Sequence, residues 1–565
     1  MRSRAFSLHP FLRLLPVTCV LLAFAAPATA QDEPADLFGE VIDVRVVNLE
    51  VVVTDGGERV TGLGPEDFLL TVDGAEVPIE YFTEVSGGTA LADAGAQELG
   101  TVPALAPGVP VPTSFLVFID EYFTLASRRN QVLSQLIEQL PMLNPEDRMA
   151  VVAFDGKKLD MLTSWSQSVE ALTRVVEQAR ERPTFGVHRF TRERLFAGDA
   201  TAAAERASRA ADFERPELFG AGIRVGSDLP TLEEEQLIGM LTDDVERVVM
   251  AAASTLRSFA NPPGRKVMLL VAGGWPYTPA QWVVTDPKRA LYTTGYGYGD
   301  NLYAPLIETA NRLSYTLYPI DVPFQADAAA SAAAFEATDS ESELGQLGDN
   351  VQDQRASLRR LARDTGGRAL LGSDTLRALE KVVTDTRSYY WIGFTPKWQG
   401  DDQAHRLDVA VRRPGLRART RQSYSDLSRQ REVTMMVESA LRLGDAPTMT
   451  PMPARVGEVK KAGGGKVDVE IQVLVPMGAL TFLPHEQKYL AQAELRVAVQ
   501  DEEGTLPEIP VVPMSVTLDG PPKEGEMRRW STRVTLRKAR HDVVVSIYDV
   551  ASGNILSTKL EVDPK

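Results

Sequence analysis

The sequence predicts an α/β core with a mostly parallel sheet covered on both faces, flanked by accessory β segments and followed by a C-terminal β-sandwich. Three observations lead there. Between residues 113 and 387, apolar runs of strand length alternate with helix-period segments. β-branched segments punctuated by turns lie on either side, at 41–85 and 388–424. From 432 to 565, stretches such as VDVEIQVLV, QAELRVAVQ, WSTRVTLR and HDVVVSIYDV alternate apolar and polar residues between turn signals, the pattern of an Ig-like β domain.

The chain has 565 residues, 44% hydrophobic and 24% charged, which suits a globular protein of several domains. A formal charge of −17 repels a phosphate backbone and argues against nonspecific nucleic-acid binding. Residues 1–30 read as a signal peptide. Arg2, Arg4 and Arg13 open it, VTCVLLAFAA is a short apolar run, and Ala28-Thr29-Ala30 is a small-residue cleavage site before Gln31. A membrane anchor is the competing reading, but the run is shorter than a span needs and Pro27 ends it. The expected product is secreted or periplasmic and not an integral membrane protein after cleavage. Losing three of the 60 basic residues leaves 57 against 77 acidic ones, a charge near −20. The single cysteine, Cys19, lies within the signal, so the mature chain offers no disulfide and no thiolate ligand.

The elements follow in order. VIDVRVVNLEVVVTDGGERV and the following segment read as strands around DGG and DG turns. Residues 86–112, rich in Gly, Ala and Pro, read as a linker. The run Phe115–Ile119 ends on Asp120 as a buried strand. Leu133, Leu136, Ile137 and Leu140 mark a helix, RMAVVAF a second strand, and Val169, Leu172, Val176 and Ala179 a second helix. Residues 182–230 read as an insertion. Thr231 and Glu234 form a capping box that opens a long helix to about Phe259. RKVMLLVAGG and YTLYPIDV are further strands, 325–350 a loop, and LRRLARDTGG and Thr375–Thr386 helices before the β segment at 388.

The order and wording of several of these pieces resemble the acidobacterial von Willebrand factor A-related family of exported proteins. VVVTDGGERVTGLGPEDFLLTVDG, FLVFIDEYFT with DRMAVVAF, LRRLARDTGGRA, YYWIGFTP and LDVAVRRPGLRARTRQSY carry the resemblance, over about residues 40–425. It implies a doubly wound, vWA-like (Rossmann-type) domain at 113–387, with 41–85 and 388–424 packed together beside it. It also implies a binding role, often through a metal at the carboxyl edge of the sheet.

That metal site normally reads Asp-x-Ser-x-Ser, with a later threonine and a later aspartate, oxygen ligands that suit Mg²⁺. By the resemblance, Asp120, Thr124 and Thr184 occupy three positions of a degenerate site. Tyr122 replaces one serine, and Gly273 stands where the last aspartate belongs. Glu121 or Asp155 is left as a substitute ligand. No resident cofactor is expected, with Mg²⁺ or Mn²⁺ the only candidates. The competing reading is that Asp120 caps a nearby loop.

The following segment is aromatic. Trp275, Tyr277, Trp282, Tyr296 and Tyr298, with Tyr292 and Tyr303, leave the expected carboxyl edge and form a candidate partner-binding rim. The alternative is that these rings pack on one another. GYGYGD lacks the Lys-Ser/Thr of a phosphate loop. His188, His405, His485 and His541 form no catalytic motif, and no GxSxG occurs. The basic run Arg412–Arg421 reads as the outer face of an edge strand, guarding against edge pairing or meeting an acidic partner. The expected function is noncovalent binding of a protein or cell-surface partner. A secreted hydrolase of glycans or peptides, or a scaffold in an envelope assembly, is the alternative. The oligomeric state stays open.

Overall fold

The computed structural model describes residues 46–91, 108–189, 231–259, 264–284, 299–322, 341–443, 450–485, 487–501, 507 and 509–564. The expected signal peptide lies outside them, as does most of the insertion expected at 182–230. All described residues belong to one compact unit, Val44–Lys565. Among them, no helix is long and apolar enough to cross a membrane.

The expectation of a doubly wound, mostly parallel Rossmann-type sheet is corrected. The chain is mostly antiparallel β. Parallel ladders longer than two residues are confined to one five-stranded mixed sheet, and four further sheets are antiparallel apart from one two-residue parallel pairing. The fully apolar strands that suggested a parallel sheet are real, but they are four among many.

Those four are β4 (Thr113–Asp120), β5 (Arg148–Phe154), β7 (Arg265–Ala272) and β8 (Tyr315–Asp321). With β6 (Leu159–Ser166) they form a sheet of order β8-β7-β4-β5-β6, in which β5 and β6 run antiparallel. All eight residues of β4 are buried, because successive side chains enter different clusters. Leu116 and Phe118 join Val245, Val248 and Leu256 of α3 (Leu232–Ser258) and Leu302 and Leu306 of α5 (Gly299–Arg312). The same cluster takes Leu358 and Leu361 of α6 (Glu341–Asp364). Phe115, Val117 and Ile119 join Leu133 and Leu136 of α1 (Ala126–Gln139), Leu172 and Val176 of α2 (Val169–Glu181) and Leu379 and Val382 of α7 (Ala378–Thr386). Between α3 and α5 lies the short α4 (Pro279–Val283). The capping box at α3 is present: Thr231 Oγ1 accepts from Glu234 N at 3.2 Å, and Glu234 Oε2 from Thr231 N at 2.7 Å.

Two antiparallel sheets interleave distant segments. One runs β11-β1-β9-β3, with β1 (Val47–Asp55), β3 (Tyr81–Ser86), β9 (Tyr389–Phe394) and β11 (Arg417–Arg419). The other runs β12-β10-β2, with β2 (Phe68–Val72), β10 (Gln403–Val411) and β12 (Ser423–Asp426). Leu49, Val51, Leu70, Ile392, Leu407 and Val409 share their core. Both ends of the expected linker at 86–112 are held in place, since Ala90 and Val111 bury against Tyr389.

A charged node joins these sheets to the mixed one. Asp385, at the end of α7, accepts two hydrogen bonds from Arg419 at 2.7 and 2.9 Å and one from the Tyr318 hydroxyl at 2.6 Å, and it also pairs with Arg59. The two guanidinium groups hold its carboxyl down at about 2 against the cost of burial.

The last region has two sheets around one apolar cluster. Strands β13 (Ala454–Gly463), β14 (Lys466–Pro476) and β17 (Met527–Arg537) form one. Strands β19 (Ile555–Val562), β18 (His541–Asp549), β15 (Lys488–Asp501) and β16 (Val511–Leu518) form the other. Val469, Ile471, Val543, Val545 and Ile547 fill the space between. Helix α8 (Arg429–Leu443) buries Val433 and Val437 against Val544 and Tyr548 of β18. It also ties back through Glu432 to Arg312 of α5, at 2.7 Å.

Candidate functional site

Asp120 ends β4 with no exposed surface. Its Oδ1 accepts from the backbone N–H of Tyr122 at 2.9 Å and of Phe123 at 3.0 Å. Its Oδ2 accepts from the Trp275 indole at 2.7 Å. Burial pushes the carboxyl up to about 6, although these three donors and the charge of Arg189 act in the other direction. Arg189 lies with its guanidinium 4.4 Å from the centre of the Phe123 ring.

The donor set does not fit a metal. The structure brings Thr124 to Asp120, but the Thr124 hydroxyl donates to the Asp120 carbonyl at 2.5 Å. Tyr122 turns its hydroxyl to Asp244 Oδ2 at 2.8 Å. Thr184 is half-buried in the segment after α2, whose neighbour Phe185 donates its N–H to the Glu121 carbonyl at 2.8 Å. A carboxylate in place of Gly273 has no room: a Cβ there would lie 2.8 Å from the Val322 carbonyl oxygen and 3.0 Å from that of Phe123. Glu121, a proposed substitute ligand, is fully buried and taken by Arg182 at 2.6 and 3.1 Å. Asp155 accepts from the N–H groups of Lys157 and Lys158 in a tight turn.

The aromatic rim is corrected as well. Trp275 has no exposed surface. Its ring stacks on Tyr303 at 6.3 Å, and Tyr277 stacks on Tyr303 at 6.2 Å, both at 7° between planes. Tyr277 accepts from Arg360 at 2.9 Å and donates to Asp300 at 2.6 Å. Trp282 donates to Asp353 at 2.7 Å, and the same carboxylate collects the N–H groups of Tyr277 and Thr278. Trp275, Tyr277, Trp282 and Tyr303 are therefore engaged within the protein instead of being offered outward. Tyr296 and Tyr298 lie outside the described residues.

Among the described residues, Asp401, His405 and Asp426 form the one three-member group with ligand atoms within 4.8 Å. Each already has protein partners. Asp426 accepts from Gln399 and Gly400 N–H, Asp401 from Gln403 N–H, and His405 Nδ1 lies 2.8 Å from Asp73. The group works as an electrostatic clasp between β10, β12 and the turn at Asp73.

Sequence reasoning missed a cleft of about 370 Å³ between the end of α6 and the segment 407–422. Five arginines line it (Arg359, Arg363, Arg368, Arg419 and Arg421) against one carboxylate, Asp408. Leu371, Leu407, Val409 and Ala418 give it an apolar part. Arg419 and Arg421 turn inward, which corrects the reading of Arg412–Arg421 as an outer face only. Arg421 donates to the Asn311 carbonyl at 3.0 Å and the Ser314 hydroxyl at 2.7 Å, while Arg419 holds Asp385. Arg359, Arg363 and Arg368 are exposed. Arg363 and Arg368 have single carboxylate neighbours, Asp364 at 2.8 Å and Asp374 at 3.4 Å. Gly367 lets the turn after α6 press on β8, since a Cβ there would meet the Leu317 carbonyl. The available signal was the i, i+4 spacing of Arg359 and Arg363 on one helix face.

No family model and no curated protein matches the chain. Among solved structures, the pilus adhesin SpaC of Lactobacillus rhamnosus GG is 11% identical over 87% of this chain and 60% of its own, with a TM-score of 0.21. The TFIIH p34 N-terminal domain is 10% identical over 48% of this chain and 97% of its own, at 0.18. A Bacteroides uniformis beta-glucuronidase is 10% identical over 32% of this chain and 19% of its own, at 0.14. Overlaps this loose carry no argument about activity.

Proposed function

We propose that this chain is an exported, noncovalent binding protein, and that the arginine cleft takes an acidic segment of a partner protein. The observation that carries the reading is three exposed arginines, Arg359, Arg363 and Arg368, at a cleft whose inner wall holds Arg419 and Arg421, on a chain of formal charge −17. Arg363 and Arg368 are exposed and have single carboxylate neighbours, which an incoming carboxylate readily displaces, so the mouth attracts carboxylates. Guanidinium groups match carboxylates in a two-pronged geometry. The apolar part made by Leu371, Leu407 and Val409 accommodates side chains between the acidic ones. A glycan polyanion is the poorer fit, because no aromatic ring lines the cleft for stacking on sugars. Export rests on the basic start, apolar run and small-residue end of residues 1–30. The carboxyl edge of the mixed sheet is the weaker contact surface, since Trp275 closes it over Asp120.

The test is fluorescence anisotropy of a labelled glutamate-rich peptide with the mature chain and with the triple variant Arg359→Glu, Arg363→Glu, Arg368→Glu. These side chains are exposed, so the variant retains its fold. Affinity is expected to fall at least about tenfold in the variant, and to fall in the wild type as salt rises. Equal affinity for both proteins would remove the cleft as the contact.

A further inference from the structure

We propose that the free edge of β17 accepts one strand of a partner protein, an extended segment in which apolar and acidic residues alternate. This site is separate from the arginine cleft. Strand β17 is 11 residues long and, among the described residues, pairs on one side only, with β14. Its sheet has three strands, and the sheet it faces is wider. The shortfall leaves a groove of about 510 Å³ between β17 and the strands β15 and β16. Leu495, Val497, Val499 and Val512 give the groove apolar residues from the wider sheet, and Val534 and Leu536 from β17. Val512 stays 47% exposed. A fourth strand laid along β17 would use the backbone groups of that edge and cover this surface at once.

The charges choose the occupant. From Met527 to Arg540 the sequence carries Arg528, Arg529, Arg533, Arg537, Lys538 and Arg540 and no acidic residue. The carboxylates near these side chains come from neighbours in exposed or long pairs: Glu526 at 3.3 Å, Glu458 at 3.6 Å, Asp501 at 3.9 Å and, at the end of the run, Glu561 on Arg540 at 2.5 Å with both side chains exposed. Such pairs are weak and are readily exchanged for an incoming carboxylate. Two copies of β17 side by side would bring two strands together that each carry four arginines and no carboxylate, so self-pairing is disfavoured. An acidic strand turns the same charges into cross-strand pairs.

The experiment uses the mature chain and two labelled peptides of 11 residues, matched to β17, one alternating valine with glutamate and one valine with lysine. The acidic peptide is expected to bind at least about tenfold more tightly, and the double variant Arg533→Glu, Arg537→Glu to reverse that order. Both positions are exposed, which keeps the fold out of the comparison. Hydrogen exchange read on the same samples is expected to slow at the 527–537 amides when the acidic peptide binds. The triple cleft variant is expected to behave as wild type here, so this proposal and the cleft fail separately. Absence of binding would overturn the proposal. So would charge-sensitive binding with no slowing in β17, or equal binding of a proline-interrupted peptide. Slowing that depends on protein concentration without any peptide would assign the edge to a second copy instead.

Discussion

The Trp275 indole donates to Asp120 Oδ2 at 2.7 Å, and neither side chain has exposed surface. The loop after β7 is thereby latched to the end of β4. Asp120 consequently acts as an internal acceptor for three N–H donors.

Removing the latch should cost stability. Trp275→Phe keeps most of the ring but leaves a buried carboxylate oxygen without its donor, a loss of about 1–3 kcal/mol. Trp275→Ala also opens a cavity beside Tyr303, for about 3–5 kcal/mol in total. Urea midpoints of the three proteins check the order. Unchanged midpoints would mean that the aromatic loop is not latched.

Asp120 should also make stability depend on pH. Its carboxyl is raised from 3.8 to about 6 by burial. A raised carboxyl binds its proton more tightly in the folded state. Its contribution is therefore complete below about pH 4, declines as pH rises through 6 and is constant above, a difference of about 3 kcal/mol. Asp120→Asn should flatten that slope relative to wild type. Urea unfolding at several pH values from 4 to 7 reads the difference between the two proteins.

The Asp385 node acts in the opposite window. Its carboxyl is held at about 2, chiefly by Arg419 and Arg59, so its stabilisation is present above 3.8 and disappears as pH falls through 2. Arg419→Leu leaves Asp385 buried with Arg59, the Tyr318 hydroxyl and the weaker charge of Arg265. It should lower stability by about 3–5 kcal/mol at neutral pH and shift the onset of acid unfolding upward. Thermal unfolding across the acid range is the check.

Gly273→Asp should fail to create a Mg²⁺ site. The new Cβ would press on the carbonyl oxygens of Val322 and Phe123, and strain of this kind costs about 1–3 kcal/mol. Asp120 would still be committed to its N–H donors. Calorimetric titration of Mg²⁺ and Mn²⁺ into wild type, Asp120→Ala and Gly273→Asp should show no heat that depends on residue 120 or 273. Saturable heat lost in Asp120→Ala would show that the latch opens for a metal.

Part of this was legible because it is local. The apolar run Phe115–Ile119 ending on Asp120, and the Thr231–Glu234 box opening α3, depend only on neighbours in sequence. Sheet direction was not legible, because an apolar run reads the same whether its partner runs parallel or antiparallel. The aromatic loop misled for a related reason. Trp275, Tyr277 and Tyr303 carry the same chemistry exposed or stacked, and only the position of α5 under the loop stacks them, with Trp275 and Tyr303 buried.

The sequence by itself determined the four apolar strands and the capped start of α3, that Tyr122 and Gly273 depart from a metal-binding pattern, and that arginines gather in 359–368, 412–421 and 528–540. It did not determine the helix at Gly299–Arg312, nor the start of α6 at Glu341, inside the expected loop 325–350. Only the tertiary structure decided that Asp120 meets Trp275, 155 residues away, that Arg419 and Arg421 turn inward, and that β17 is left with a free edge. The reason is physical. Periodicity and capping are short-range and written in adjacent residues, whereas the partner of a buried charge or a strand edge depends on which distant segments the packing brings beside it.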